Sequence, residues 1–263
     1  METLVAWAQA NSFETHFLSG NWVVRLVRGE LVLPIISYDI GLNPSSVHRI
    51  VNDKVATYDV LAASHVAAVE HQIVLEAALA ASRGEADELG RLTSVLSAFG
   101  GDALLKPLDQ SQGLDVIRVR SEAELSTAYA DLSVRYPRFA ISPFVKIIRE
   151  DRFYFLDDTL LLSYGKRAVG LKANLAEGGE VLFHDGSEQA ALDLARVARR
   201  ALALRYGCID IVTLETGALL VMEANSGVML DEIARQAKAA GVTLPLRETY
   251  TAGLDTLLAE RST

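Results

Sequence analysis

The chain has 263 residues, half of them hydrophobic and 22% charged, with a formal net charge of −9. That composition suits a globular protein with one or two cores. It excludes a nucleic-acid surface, so any polyphosphate must be held by a few local Lys and Arg. A single cysteine, Cys208, cannot close an internal disulfide and points to a reducing compartment such as the cytoplasm. No 18-residue apolar run and no basic start after Met1-Glu2 are present, so neither a membrane span nor secretion is expected.

Residues 1–20 carry a weak helical pattern. Residues 22–27 and 31–36 are apolar runs around Arg28-Gly29-Glu30 and predict a hairpin. Asn43-Pro44-Ser45-Ser46 offers a turn and helix caps. In residues 47–63, Val47, Ile50, Val51, Val55 and Tyr58 recur at helical spacing, predicting one helix with Asp53 and Lys54 inside it. His48 and His65 stand apart from any metal-ligand spacing and read as structural. Residues 66–101 read as a strand followed by helical material broken at Gly84 and Gly100-Gly101, with Glu85, Asp87 and Glu88 on a solvated surface.

Residues 103–107 form a strand that ends at Lys106-Pro107, followed by a polar loop and a second strand over 115–120. Strand, small polar loop, strand suits backbone N–H groups wrapped around a phosphate, with Lys106 as a point charge beside Ser111, Gln112 and Gly113. Ser121 and Glu124 make a capping box for a helix burying Leu125, Ala128, Tyr129 and Leu132. Residues 139–142 are a short strand stopped by Pro143, which has no N–H to continue a ladder. A further hairpin turns at Asp157-Asp158, and Glu150 and Arg152 enter it two apart, on one face. Lys166, Arg167, Lys172 and Asn174 then cluster in a Gly-flanked loop, the densest basic group of an acidic chain. Ser187 is expected to cap the next helix, and two helical segments follow near 230–240 and 250–259.

Residues 208–225 organise the rest. Two apolar runs flank a turn at Gly217, which can take φ > 0 without a Cβ penalty. With a two- or four-residue loop, opposite positions sum to 433, so Asp210 faces Glu223. A three-residue loop would break that register. Like charges opposite one another are destabilising unless something compensates them. Asn225 lies on the face of Glu223, and two carboxylates with an amide oxygen suit a hard cation such as Mg²⁺.

Taken together these motifs resemble the ATP-grasp superfamily, within it the RimK-type glutamate ligases and related lysine-biosynthesis ligases. The resemblance runs from Asn43 to about Leu230. It rests on Asn43 with Asp53-Lys54; Leu105-Lys106-Pro107 with Ser111-Gln112-Gly113; and Ser142-Pro143-Phe144-Val145 in place of the adenine hinge. Glu150-Asp151-Arg152, Lys172-Ala173-Asn174-Leu175 with Gly178-Gly179, and Asp210 with Met222-Glu223-Ala224-Asn225 complete it. The resemblance implies an α+β fold with ATP between two lobes, 44–145 and 146–263, after a shortened N-terminal segment, 1–43. It implies an ADP-forming carboxylate–amine ligase acting through an acyl phosphate, on a small-molecule or peptide carboxylate and an amine acceptor. A phosphotransferase and a non-catalytic ATP-binding subunit are the alternatives, and a homo-oligomer is possible. Lys54, Lys106, Ser111, Gln112 and Gly113 would hold phosphates, Ser142, Phe144 and Val145 adenine, and Glu150 ribose. Arg152, Lys172, Asn174 and Arg167 would serve the transferring end, and Asp210, Glu223 and Asn225 would hold Mg²⁺, or Mn²⁺ in its place. Ser142-Pro143 lacks the hinge carboxylate and Ser226-Gly227-Val228 lacks Ser-Pro-Gly, which leaves nucleotide and substrate preference open.

Overall fold

The computed structural model describes residues 1–84, 87–108, 114–167, 180–183 and 188–262, with Arg167 and Glu180 described in backbone only. Helix α1 (Glu2–Ala10) leads into a meander of β1 (Glu14–Leu18), β2 (Val23–Arg28) and β3 (Leu31–Ile36). The β2–β3 hairpin is as expected, turning in two residues where Gly29 takes φ +58. Strand β1 was not foreseen, because Glu14, Thr15 and His16 blur its alternation.

The single helix expected over 47–63 is two, α2 (Ser45–Val51) and α3 (Lys54–Ala63). Asp53 is the reason: its carboxylate accepts from the N–H groups of Val55 and Ala56, both at 3.0 Å, and so starts a new helix in place of continuing the old one. Lys54 therefore stands at a helix N-terminus.

Next come β4 (Gln72–Leu75), α4 (Ala77–Ser82), α5 (Glu88–Ala98), β5 (Ala103–Pro107), β6 (Ile117–Val119), α6 (Glu122–Arg135) and β7 (Arg138–Pro143). These strands form a four-stranded sheet in the order β4-β7-β5-β6. Glu88 is not on a solvated surface: it is buried, accepts from the Leu75 N–H and binds Arg91.

The remaining strands are β8 (Ile147–Leu156), β9 (Thr159–Arg167), β10 (Glu180–Leu182), β11 (Tyr206–Leu214) and β12 (Leu219–Asn225). They interleave with α7 (Gln189–Ala201) and precede α8 (Asp231–Ala239) and α9 (Leu246–Arg261). The second large sheet has the order β10-β9-β8-β11-β12. Ser187 lies outside the described residues.

Three apolar cores follow. Side chains of α5, α6 and the four-stranded sheet form the first. Phe153, Phe155, Ile209 and Ile211 cover one face of the five-stranded sheet and pack on α7 together with Val47, Val51 and Leu61 of α2 and α3. Tyr154, Tyr164, Tyr206 and Cys208, on the opposite face, pack with α1, the N-terminal meander and α9. The segment after α3 runs parallel to edge strand β12, with Val69 N–H on the Val221 carbonyl and Val221 N–H on that of Ala67. Residues 45–69 are thus built onto the second sheet, although sequence order groups them with the first.

Asp53→Ala should cost about 0.5–2 kcal/mol in urea unfolding, the usual worth of an N-cap, and Asp53→Asn should recover most of it. Unchanged stability in the alanine variant would remove Asp53 as the cause of the helix break.

Candidate active site

Strand β11 runs between β8 and β12, which makes Asp210 the middle of a row: Arg152 on one side and Glu223 on the other. The facing of Asp210 and Glu223 is as the sequence predicted, by a different route. The loop has three residues, Glu215 to Gly217, with Leu214 N–H on the Ala218 carbonyl and Gly217 at φ +83. Near the turn, pairs such as Thr213 with Leu219 therefore sum to 432, which would set Met222 opposite Asp210. A β-bulge between Asp210 and Ile211 takes up the extra residue and restores the register, bringing Glu223 and Asn225 onto the face of Asp210. Asn225 pairs with Cys208, and the chain comes close at the next residue, Gly207, because it has no side chain; a Cβ there would fall 2.2 Å from the Asn225 carbonyl oxygen.

The charges on this face are paired. Asp210 is fully buried and takes both arms of the Arg152 guanidinium, Nε at 2.6 Å on Oδ1 and Nη2 on Oδ2. Lys166 Nζ lies 3.5 Å from Asp210 Oδ2 and binds Glu150, its cross-strand neighbour. Arg152 also reaches Glu223 at 3.6 Å, and Asn225 donates to Glu223 at 3.3 Å. Burial works against the Asp210 charge, but Arg152 and then Lys166 outweigh it and hold the carboxyl at about 2. Burial and the nearby Arg152 likewise oppose the charge of Lys166, and Asp210 and Glu150 overcome them, so its pKa is raised. Lys166 belongs to this centre although the sequence marked only its loop. Glu150, expected at the ribose, is committed to Lys166 here. Cys208 is buried beside them, and burial pushes its thiol up to about 12, which fits a core residue and not a nucleophile.

Two further cations meet at the junction of the sheets. The N-terminus of α3 docks on the end of β5, where Lys54 Nζ donates to the Leu108 carbonyl at 3.1 Å. Lys106 is buried on β5 with no ion-pair partner among the described residues; burial and then the charge of Lys54 bring it from 10.5 to about 8, against the opposing pull of Glu223. A cavity of about 50 Å³ lies alongside, lined by Lys54, His71, Glu223 and Asn225 among others.

At the expected hinge, Ser142 is fully buried with its Oγ unpartnered among the described residues. Phe144 donates its N–H to the Asp102 carbonyl, and its ring is covered by Arg118, 3.4 Å from the centroid and itself held by Asp102. Val145 follows between β7 and β8. Ser111, Gln112, Gly113, Lys172 and Asn174 lie outside the described residues, as does the Arg167 side chain.

His48, read as structural from the sequence, joins a polar cluster: its Nδ1 is 2.8 Å from Ser226 Oγ and 3.3 Å from Asp39, and its Nε2 is 3.2 Å from Asn52. Spacing gave no hint of this, since Ser226 comes from the far end of the chain and Asp39 from the segment before α2. Among the described residues no group of three His, Cys, Asp or Glu is poised around a metal. The expected cation site is two carboxylates and an amide, a donor set that fits a hard ion and in which Asp210 is already ionised. No described helix is long and apolar enough to cross a membrane.

The sequence matches no family model and no curated protein. Solved structures do match. The ATP-grasp ligase PsnB, complexed with a minimal precursor, aligns at 15% identity over 82% of this chain and 64% of its own, with a TM-score of 0.55. The D-alanine–D-alanine ligase of Bacillus anthracis, complexed with ATP, aligns at 16% identity over 81% of this chain and 68% of its own, with a TM-score of 0.60. The D-cycloserine synthetase DcsG aligns at 20% identity over 75% and 71%, with a TM-score of 0.51. The chain has the α+β ATP-grasp fold and spans just under two thirds of the length of PsnB.

Asp210→Asn should destabilise the protein by roughly 3–5 kcal/mol in urea unfolding, because it leaves the buried Lys166 and the half-buried Arg152 with one counter-charge fewer. The wild-type carboxyl sits below its ordinary 3.8. Its stabilisation is therefore complete above about pH 4 and fades toward pH 2, by about 2 kcal/mol at 1.36 kcal/mol per unit, and the variant should lack that acid limb.

Proposed function

We propose that this chain is an ATP-dependent carboxylate–amine ligase that activates a carboxylate as its acyl phosphate and releases ADP and phosphate. The observation that carries the reading is that Lys54 shares a cavity with Glu223, the cross-strand partner of Asp210, and that Lys106, from a different segment, lies close enough to feel the charges of both Lys54 and Glu223. Arg152 and Lys166 stand behind the Asp210–Glu223 carboxylate pair. Buried Lys106, with no ion-pair partner among the described residues, asks for an anion, and the carboxylate pair near it asks for a cation. A metal-complexed polyphosphate answers both demands.

On this reading Lys54 and Lys106 bind and orient the phosphates, together with Ser111, Gln112 and Gly113. Ser142 lies at the adenine end, with Phe144 and Val145 supplying wall and backbone, and Glu150 is the ribose candidate once Lys166 is drawn elsewhere. Asp210, Glu223 and Asn225 would hold Mg²⁺, which supplies charge neutralisation on the phosphates. Arg152, Lys172, Asn174 and Arg167 steady the transferring end as negative charge moves to the leaving phosphate. The acceptor amine then attacks the activated carbonyl carbon, phosphate leaves, and an amide forms. The carboxylate comes from a small molecule or a peptide, and the reducing cell interior is where such a reaction has its ATP.

Lys106 gives a two-sided test. Its folded pKa of about 8 lies below 10.5, so the protonated side chain weakens the ligand-free fold below pH 8, and that cost fades as pH rises to 10.5. Lys106→Met should therefore be more stable than wild type at pH 7, by roughly 1–3 kcal/mol, with the gain vanishing near pH 10.5. The same change should weaken Mg·ATP about ten- to a hundredfold in calorimetric titration. Equal ATP affinity would take Lys106 out of the site.

The reaction is tested with Glu223→Gln beside wild type on a panel of carboxylates and amines, with mass analysis of products. ADP and an amide should form only when both partners are present, and the variant should form neither. ADP with a phosphorylated product and no amide would establish a phosphotransferase, and ATP bound without turnover on any pair would point to a non-catalytic subunit.

A further inference from the structure

His71 lies between α3 and β4, on the segment that runs along β12, and is 3% exposed. Its Nδ1 is 2.8 Å from the Val69 carbonyl, so the proton resides on Nδ1 and Nε2 presents a bare lone pair. Nε2 has no hydrogen-bond partner among the described residues, and the ring lines the cavity shared with Lys54, Glu223 and Asn225. A buried, unpaired imidazole nitrogen is costly, and most such atoms acquire a partner from protein or ligand.

Resting on the nucleotide reading above, we propose that His71 is a phosphate-binding residue: when a polyphosphate settles on Lys54 and Lys106, Nε2 takes a proton from solvent and donates to a phosphate oxygen. The groups around His71 favour this exchange. Burial first, then the charges of Lys106 on β5 and Lys54 on α3, keep the ring neutral in the ligand-free protein. Tyr58 of α3 and Glu223 of β12 line the same cavity, and Glu70 on its own segment is engaged by Gln72. A polyphosphate cancels the field of both lysines and brings negative charge to the unpartnered Nε2, which reverses the balance. Val69 keeps Nδ1–H engaged, so the incoming proton has a single place to go.

Calorimetric titration of Mg·ATP at pH 7.0, in buffers of differing ionisation enthalpy, reads the proton directly. Lys106, at about 8, is already mostly protonated at that pH and adds only ~0.1 proton. Wild type should take up close to one proton more than His71→Gln, and the variant should bind ATP about tenfold more weakly. Protons released by ATP itself cancel in the difference. If ATP binds both proteins with the same proton uptake, the role of His71 is overturned and the nucleotide reading stands. If ATP does not bind wild type, the nucleotide reading fails and takes this proposal with it. Should His71→Gln not fold, ¹⁵N-histidine spectra of wild type decide the matter. One of the five histidines should pass from the neutral Nδ1–H pattern to the doubly protonated one on adding ATP, and five unchanged patterns would overturn the proposal.

Discussion

The second sheet depends on how three buried charges and one half-buried one compensate one another. Asp210 is fully buried on the central strand, and without Arg152 and Lys166 it could not remain ionised there. Each cation is in turn placed by a neighbouring strand, Arg152 by β8 and Lys166 by β9, and Glu150 completes the set. Such an array adds little stability compared with apolar packing of the same volume. Its worth lies in holding several charges ready at one point, at the end of a sheet face whose other end is a tyrosine-rich core. The face is therefore divided: apolar where it meets α1 and α9, ionic where it meets the cavity.

Much of this was legible in the residues because it is local. The alternation of residues 208–225 and a glycine at the turn gave the hairpin, and the spacing of Asp210, Glu223 and Asn225 put them on one face. The three-residue loop and the compensating bulge were not legible, since a bulge is decided by what the strand packs against. Val221 and Ala224 both belong to the core under α7, and Glu223 and Asn225 to the opposite face, so an extra residue has to be absorbed between Val221 and Glu223. Two errors of register cancelled.

Other features depended on distant partners and left no periodic trace. Glu88 looked solvated among acidic neighbours because its partner Leu75 N–H lies thirteen residues away, on the other side of α4. His71 belongs to no motif; its position follows from the parallel run of its segment beside β12, an interaction between residues about 150 apart. Lys166 was visible only as one basic residue among several, and its strand register singles it out. The break at Asp53 was available in principle, since an aspartate directly before a helical stretch is a cap signal, but the unbroken apolar spacing from Val47 to Tyr58 outweighed it.

The three cores differ in how they are threaded, and this bears on the order in which they can close. The core of the four-stranded sheet draws on Val74 to Ile141, one continuous stretch that is available as soon as it has left the ribosome. The core on the charged face joins Leu4, Trp7 and Phe13 to Leu254 and Leu257, and Trp7 donates to Asp255 across 248 residues. It cannot form until α9 has been made. During synthesis the apolar sides of α1, β2 and β3 thus wait exposed while some two hundred residues are added, a window in which a chaperone would hold them from one another's chains.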